Sequence, residues 1–507
     1  MVLEDLFQGM EYEVLQGNVK GSINGLCSDS RRVAEDDLFF CIDGAKFKGE
    51  DFLDEVFSRG ACAIVSERQI YAPVNVTIIL VSNVRYTMAM VACAFFGNPS
   101  SKLLMIGVTG TKGKTTTAFM IQRILQEAGY KTGLVGTVAV VDANGEHPAK
   151  NTTPESHVLQ RMLAQMYEQG IRAVVMEVSS QGLKQNRVTG ITFDYGVFTN
   201  LTPDHIGPFE HDDFEEYKYW KTQLFSHSRV GIINMDDMYG TDMCFAGNNR
   251  YVTYGIKTAG DYMAECPEYV MEKRKYGMRY QLLCRNKMGT CIHADSKLMV
   301  SMPGLFSVYN SLAAIAVCDQ LGISRNKMCE ALQKISVPGR MEEIRVSFAF
   351  SVFIDYAHNA CALKNLLSTL RMYNPGRIIV VFGCGGNRSR DRRNQMGRVA
   401  ATLADLSILT NDNPRFEKPE DIISDIEQGF RNTDAAFCKI YDRKEAIRYA
   451  LKVAGNRDIV ILEGKGHERY QEICGVCYDM DERKLIDEIM EEENVTTICG
   501  YNHRYFA

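Results

Sequence analysis

No stretch of this sequence approaches the roughly 20 consecutive apolar residues needed to cross a bilayer, so a membrane-spanning role is excluded. An excess of basic residues is also missing. The formal net charge is -6, which gives no field to attract a nucleic-acid backbone and excludes nucleic acid as a partner. The opening Met1-Val2-Leu3-Glu4-Asp5 is acidic and lacks the basic-then-apolar order of a signal peptide, so a cytoplasmic protein is expected. Cys474-Gly-Val-Cys477 has no second C-x-x-C pair to complete a metal site. The other cysteines, such as Cys62, Cys93 and Cys318, lie in apolar runs as reduced, buried thiols do. Internal repeats and low-complexity segments are absent.

What is present is ordinary soluble material, 24% charged and 46% hydrophobic. A chain of 507 residues holds roughly three domains by the usual length prior. Residues 1–98 read as a small α/β unit: strand-like Leu38–Ile42 and Ala63–Val65, a helical stretch near Asp51–Arg59, and a polar turn at Asp29-Ser-Arg-Arg32. Gly97-Asn-Pro-Ser-Ser101 is the first linker. Residues 99–335 alternate strand and helix, with strands expected at 103–108, 173–178, 195–199 and 230–234, the pattern of a parallel sheet covered on both faces. Within 250–300, Tyr251–Tyr254 and Tyr280–Leu283 read as a more antiparallel, flanking sheet. Ser336–Arg340 is the second linker, and 336–507 alternates again through 352–354, 378–382, 408–409 and 459–462. The fold class expected is therefore α/β in three domains, and the tail after Asn494 carries no usable pattern.

The densest chemical signal is Gly107-Val-Thr-Gly-Thr-Lys-Gly-Lys-Thr-Thr-Thr117. An apolar strand precedes it, and Ala118, Ile121, Ile124, Leu125 and Ala128 follow at helical spacing, with Gly129 as the stop. Strand, glycine loop, helix is the setting a phosphate-binding loop needs, because backbone N–H groups and the helix N-terminus converge on the anion. Lys114 would reach the terminal phosphates, and the Thr115 hydroxyl would hold Mg²⁺. In spacing the motif is Gly-x-x-Gly-Lys-Thr from Gly110, with Thr109, Gly110, Thr111, Lys112, Gly113 and Thr116 around the anion.

Ligand-facing groups in open α/β sheets collect at the carboxyl ends of strands. Glu177 ends one strand and is a Mg²⁺ ligand or a solvated acid; Asn200-Leu-Thr-Pro-Asp-His205 ends another, with His205 a metal ligand or a structural histidine. Lys221 interrupts the apolar stripe Phe214, Tyr217, Leu224, Phe225; it either snorkels or has a lowered pKa that leaves an amine able to take up CO₂ as a carbamate. In the last third, Asp355-Tyr-Ala-His358, Asp412-Asn-Pro-Arg415 and Gly464-Lys-Gly-His-Glu468 follow three strands and together make a site. Arg415, in a rigid Asn-Pro turn, suits bidentate binding of a carboxylate, and one of Arg388, Arg390, Arg392 and Arg393 is expected to contact substrate.

Read in order, Thr109-Gly-Thr-Lys-Gly-Lys-Thr-Thr116, Thr152-Thr-Pro154, Glu177-Val-Ser-Ser180, Asn200–His205, Gly339-Arg-Met-Glu342, Asp355–His358 and Gly464–Glu468 resemble the Mur ligase family across nearly the whole chain. The resemblance is to the branch that adds a third amino acid to UDP-MurNAc-L-Ala-D-Glu with ATP and Mg²⁺. It implies a three-domain fold: a UDP-binding N-terminal domain, a central ATPase-like domain and a Rossmann-like C-terminal domain. It further implies that Ser28 and Ser30 bind the uridine end of the substrate, while Asn151, Thr152, Thr153, Ser179, Gln185 and Arg187 hold the UDP-sugar-peptide. Lys114, Glu177, His205 and Lys221 would be catalytic, the last three as metal ligands with Thr115, and Lys221 as its carbamate. Asn310, Arg340 and Asp355 would lie near the nucleotide; Arg393, Asp412, Asn413, Pro414, Arg415, Gly464 and Glu468 would bind the amino acid. Lys112 stands where asparagine is more frequent in this family, and Gln181, Lys48 and Ser307 also depart from its pattern.

In the family the Asp-Asn-Pro-Arg motif accompanies meso-diaminopimelate, whose far end carries a carboxylate as well as an ammonium. Lysine would leave Arg415 unpaired in a closed site. The implied reaction is attack of the D-Glu carboxylate on the γ-phosphate of ATP, then attack of an amine on the acyl phosphate, by a monomer whose C-terminal domain closes about 336–340 to exclude water. The alternatives are the same ligase using L-lysine and a nucleotide-binding regulator without catalysis. Folylpolyglutamate synthase shares the fold but has no counterpart of residues 1–98.

Overall fold

The computed structural model describes residues 1–44, 47–207, 210–247, 250–272, 275–285, 291–293 and 297–502, the backbone alone for 291–293 and 493–502. The chain divides into two compact units: Met1–Glu265 with Leu282–Ala294 and Tyr309–Ala331, and Cys266–Gln281 with Asp295–Val308 and Leu332–Ala507.

The first unit carries two sheets. Its N-terminal sheet runs in the order Glu13–Gln16, Thr77–Leu80, Ala63–Ser66, Asp37–Phe40, Gly25–Cys27. The first pair is antiparallel and the others are parallel. Asp37–Phe40 and Ala63–Ser66 are buried at every position, as strands covered on both faces must be. The helical stretch before Arg59 is a 3₁₀ turn, Gly49–Phe52, followed by the helix Leu53–Ser58.

The central sheet is parallel through Arg250–Gly255, Ser228–Asn234, Phe193–Phe198, Leu104–Thr109, Ala173–Glu177 and Thr132–Val135, and then antiparallel through Ala139–Asp142 and Gly145–Pro148. Leu104–Thr109 lies between Ala173–Glu177 and Phe193–Phe198. The chain order reverses there, a switch point of the kind at whose carboxyl ends open α/β sheets bind ligands. Tyr251–Tyr254, expected in an antiparallel flank, instead continues the parallel sheet in register with Gly231–Asn234. Its alternation of exposed Tyr251 with buried Val252 and Tyr254 is that of a strand toward the side of the sheet, which parallel pairing satisfies equally well. The antiparallel expectation holds for Lys275–Arg285, which pairs with Leu298–Val300.

The second unit holds a six-stranded sheet ordered Glu342–Ile344, Ser351–Asp355, Ile459–Glu463, Ile378–Phe382, Leu406–Leu409, Phe437–Lys439, antiparallel only at its first pair. Alternate residues of its strands feed two cores. Phe353, Val380, Phe382 and Ile461 pack with Leu363, Leu367 and Met396 of the helices Ala360–Arg371 and Arg390–Leu403. Ile354, Val381, Val460 and Leu462 pack with Ile447, Ala450, Ile486 and Ile489 of Arg443–Val453 and Glu482–Asn502. A hairpin, Tyr470–Ile473 with Val476–Asp479, follows the strand Ile459–Glu463.

Candidate active site

The strand Leu104–Thr109 passes through Gly110–Gly113 into the helix Lys114–Glu127. Gly110 has φ +145°, and a Cβ there would lie 1.9 Å from Thr199 Oγ1, so only glycine fits. The segment after Phe193–Phe198 staples this loop. Thr111 N donates to Asn200 O at 2.8 Å, Lys112 N to Asn200 Oδ1 at 2.9 Å, and Asn200 Nδ2 to Lys112 O at 2.9 Å. Thr199 Oγ1 donates to Lys112 O at 2.6 Å, and Lys112 pairs with Asp204 at 3.0 Å.

Two lysines converge on one backbone oxygen. Lys114 Nζ donates to Gly110 O at 2.9 Å and to Thr111 O at 3.1 Å. Lys221 Nζ, on the helix Phe214–Ser226, donates to the same Gly110 O at 2.9 Å and stands 4.7 Å from the centre of the Tyr217 ring. Lys221 is 1% exposed, so it does not snorkel. Burial, and secondarily the positive charge of Lys114, hold its pKa well below that of an ordinary lysine. Tyr217, itself buried, exchanges a hydrogen bond with Thr111 Oγ1 at 3.0 Å.

Glu177, 1% exposed at the end of its strand, accepts from Thr115 Oγ1 at 3.0 Å, Thr137 N at 2.8 Å and Thr137 Oγ1 at 3.1 Å. A Cβ at Gly136 would come within 2.5 Å of its Oε1. Through Thr137 the acid reaches Thr152, whose hydroxyl lies 2.9 Å from Thr137 Oγ1. Thr153 Oγ1 donates to Glu177 O at 3.0 Å and lies 3.2 Å from Ser179 Oγ. Arg187 Nη1 donates to Thr153 O at 2.9 Å, and Arg187 pairs with Glu155 at 2.7 Å. Gln185 Oε1 is buried and has no hydrogen-bond partner among the described residues. Asn310 Oδ1 accepts from Thr117 Oγ1 at 3.2 Å behind the phosphate loop.

The structure thus brings Lys114, Thr115, Glu177, Lys221, Thr152, Thr153, Ser179 and Arg187 into one hydrogen-bonded neighbourhood. His205 is exposed, with a left-handed backbone (φ 56°), and its Nδ1 lies 3.0 Å from Glu210. Asn151 is exposed. Ser30 Oγ donates to Glu55 Oε2 at 2.7 Å; neither it nor Ser28 hydrogen-bonds to that neighbourhood among the described residues.

In the second unit, Asp412 and Asn413 follow Leu406–Leu409, and the chain turns through Pro414 into Arg415 with φ 53°. Asn413 Nδ2 donates to Glu468 Oε2 at 2.9 Å. Lys465, fully buried, spends its protons on Asn413 Oδ1 at 2.8 Å, Glu468 Oε2 at 2.7 Å and Tyr470 O. Gly464, at φ +109°, leaves room for Asp412, whose Oδ2 lies 3.3 Å from where a Cβ would stand. Arg415 Nε donates to Glu472 Oε2 at 2.9 Å and Nη1 to Gly386 O at 2.8 Å. Arg393 is buried and gripped by Glu417 at 2.8 Å and Asp425 at 3.0 Å. Arg340 lies over the Tyr356 ring at 4.7 Å, while Asp355 accepts from Met341 N and Ala357 N, each at 2.8 Å. Glu463, in register with Asp355, is fully buried, and neither carboxyl oxygen is hydrogen-bonded among the described residues; burial, then Asp355 and Asp412, push its pKa well above the carboxylate range.

Sequence reading gave no site role to Thr137, Tyr217, Lys465, Glu463 or Glu472. Lys465 was in view inside the Gly464–Glu468 cluster and Tyr217 in the apolar stripe around Lys221; the other three carry no local signal, because what marks them is a partner far along the chain.

Three family models match in order: Mur ligase family, catalytic domain, at residues 22–96; Mur ligase middle domain, at 108–318; and Mur ligase, glutamate ligase domain, at 339–466. The UDP-N-acetylmuramoyl-L-alanyl-D-glutamate–2,6-diaminopimelate ligase of Caldanaerobacter subterraneus subsp. tengcongensis is 41% identical over 493 residues, 97% of this chain and 99% of that protein. The chain belongs to the Mur ligase family. The ligase of the same name from Clostridium perfringens is 37% identical across 97% of this chain and all of its own length. A solved UDP-N-acetylmuramoyl-L-alanyl-D-glutamate–2,6-diaminopimelate ligase aligns with a TM-score of 0.69 at 28% identity, covering 97% of this chain and 99% of its own. Thermotoga maritima MurF in complex with ADP shares the fold at 19% identity and a TM-score of 0.61, covering 92% of this chain and 97% of its own. The α/β architecture is that of the Mur ligases: the three matched regions fall on the five-stranded, the central and the six-stranded sheet in turn.

Proposed function

We propose that this Mur ligase is the ATP-dependent enzyme that adds meso-diaminopimelate to the D-Glu of UDP-N-acetylmuramoyl-L-alanyl-D-glutamate in peptidoglycan synthesis, as a cytoplasmic monomer. The observation that carries the reading is the convergence of Lys114 and Lys221 on Gly110 O beside the Thr115–Glu177 contact, inside a phosphate loop. Phosphoryl transfer between two anions needs positive charge, which Lys114 would bring, and positioned oxygen ligands, which Thr115, Glu177 and a carbamylated Lys221 would supply.

The residues present fit Mg²⁺. Thr115 supplies a hydroxyl and Glu177 a carboxylate side by side, and no group of three or more His, Cys, Asp or Glu side chains is assembled among the described residues. That is the sparse, oxygen-based protein share expected when phosphates complete the coordination. His205 and Lys221, the latter as a carbamate, would add to the set; a neutral, buried Lys221 amine is the form that captures CO₂. When bound, the metal would neutralise phosphate charge.

The chain's own groups would divide the work. Loop N–H groups and Lys114, released from Gly110 O, would hold the transferring phosphoryl group, with Asn310, Arg340 and Asp355 near the nucleotide. Asn151, Thr152, Thr153, Ser179, Gln185 and Arg187 would seat the sugar-peptide, and Ser28 and Ser30 the uridine. The D-Glu carboxylate attacks the γ-phosphate, ADP leaves, and the amine of diaminopimelate then displaces phosphate from the acyl carbon. Asp412, Asn413, Gly464 and Glu468 would receive the amino acid's ammonium end and Arg415, after Pro414, its far carboxylate, with Arg393 also in the amino-acid-binding set. The domain divisions at 98/99 and 335/336 are part of this proposal.

Purified protein given ATP and the UDP-dipeptide should release phosphate with meso-diaminopimelate at least about a hundredfold faster, as kcat/KM, than with L-lysine. A preference for lysine would overturn the choice of amine, and no turnover with either would overturn the ligase reading.

A further inference from the structure

The assignment of Arg415 to a carboxylate leaves open what aims its guanidinium. The inference below rests on that assignment. The answer lies on the hairpin strand Tyr470–Ile473, 57 residues away in sequence. Glu472 makes three contacts with the Asp412–Arg415 turn: its Oε2 accepts from Arg415 Nε at 2.9 Å, its carbonyl accepts from Arg415 N at 3.0 Å, and its N–H donates to Asn413 Oδ1 at 2.9 Å. Cys474 N closes the clasp on Arg415 O at 2.8 Å.

A guanidinium has five N–H groups in a fixed plane. Glu472 takes Nε–H and Gly386 O takes one hydrogen of Nη1, while Nη2 makes no hydrogen bond among the described residues. Nε and Nη1 are therefore anchored by protein, and the Nη2 end of the fork remains to meet a ligand. Both members of the pair are about a quarter exposed, at 24% and 28%, a setting in which an ion pair adds little to stability. Its effect lies in orientation. The pair is also electrically balanced, which suits the far end of a diamino diacid, itself a balanced carboxylate and ammonium.

We infer that Glu472 is a positioning residue: it aims the free end of Arg415 and so sets the enzyme's preference for an amino acid with a second carboxylate over one without. Nothing in the residue's local sequence marks this role.

The test uses the full-length enzyme with saturating ATP and UDP-dipeptide, following phosphate release against meso-diaminopimelate, with L-lysine as competing ligand. Glu472→Ala should raise KM for meso-diaminopimelate about tenfold, with kcat, KM for ATP and the inhibition constant of L-lysine within about twofold of the parent. Glu472→Gln, whose carbonyl can still accept from Arg415 Nε, should recover most of the loss. Arg415→Ala, run alongside, should raise the same KM by more than Glu472→Ala does. An unchanged KM in Glu472→Ala, with Arg415→Ala impaired, overturns the inference and leaves the site reading standing. A loss shared by kcat, both ligands and the thermal midpoint also overturns it, because that is the mark of a merely structural contact. An unchanged KM in Arg415→Ala overturns the site reading, and this inference falls with it.

Discussion

The two polar centres of this molecule treat their positive charges differently. At the glycine loop, the charge of Lys114 rests on the uncharged carbonyl of Gly110, an oxygen it shares with Lys221, whose charged form burial disfavours. In the second unit, Arg393 is held by Glu417 and Asp425, Arg415 by Glu472, Lys465 by Glu468, and Arg443 by Glu482. A carbonyl is a weak competitor that an arriving phosphate can displace, whereas a carboxylate already matched to a cation resists displacement. The first arrangement suits a polyanion and the second a zwitterion, whose charges need direction more than neutralisation.

Experiments can break or sharpen this contrast. Lys114→Ala should abolish most of the displaceable charge and lower phosphate release by about 10³-fold or more; activity that survives would remove the phosphate loop from the mechanism. Lys221→Ala should cost about 10²-fold, and small carboxylic acids added to the assay should restore part of it by standing in for the carbamate. Failure of that rescue would count against the modified lysine. On the zwitterion side, Arg415→Ala should act mainly on KM for meso-diaminopimelate, by about 10- to 100-fold, with kcat little changed. An equal fall in kcat for all substrates would contradict a role confined to the amine.

The smallest effect concerns stability. Glu463 has its folded-state pKa raised, so its contribution is retained below the unfolded carboxyl value and lost as pH rises toward the folded one. Glu463→Gln removes that dependence. Its advantage over the parent, read by thermal or denaturant unfolding, should grow by at most about 1.4 kcal/mol per pH unit above pH ~4.3 and then level off. A pH-independent difference would mean that the carboxyl finds a partner.

What the sequence made legible follows from range. The phosphate loop is contiguous, so strand, glycines and helix announce each other within 25 residues (Leu103–Glu127). Parallel strands read as apolar runs, and Glu177, Asp355 and Asp412 stood out as acids at their ends. The strand Thr132–Val135 was overlooked because Thr132 and Gly133 dilute its apolar signal. The contacts that assemble the candidate site are long-range: Thr115 to Glu177 spans 62 residues and Lys221 to Gly110 spans 111. Periodicity shows that Lys221 faces a core, but not which oxygen it meets there. Arg415 was visible through its turn, yet the acid that orients it lies on a hairpin with no chemical signature.

Asn200 reaches across 88 residues to grip Lys112 through both ends of its amide. The glycine loop and the segment leading to His205 are thereby one mechanical part made from two stretches of chain. A lesion in either is inherited by the other, and variants remote from the loop in a linear map can disturb it as directly as those inside it.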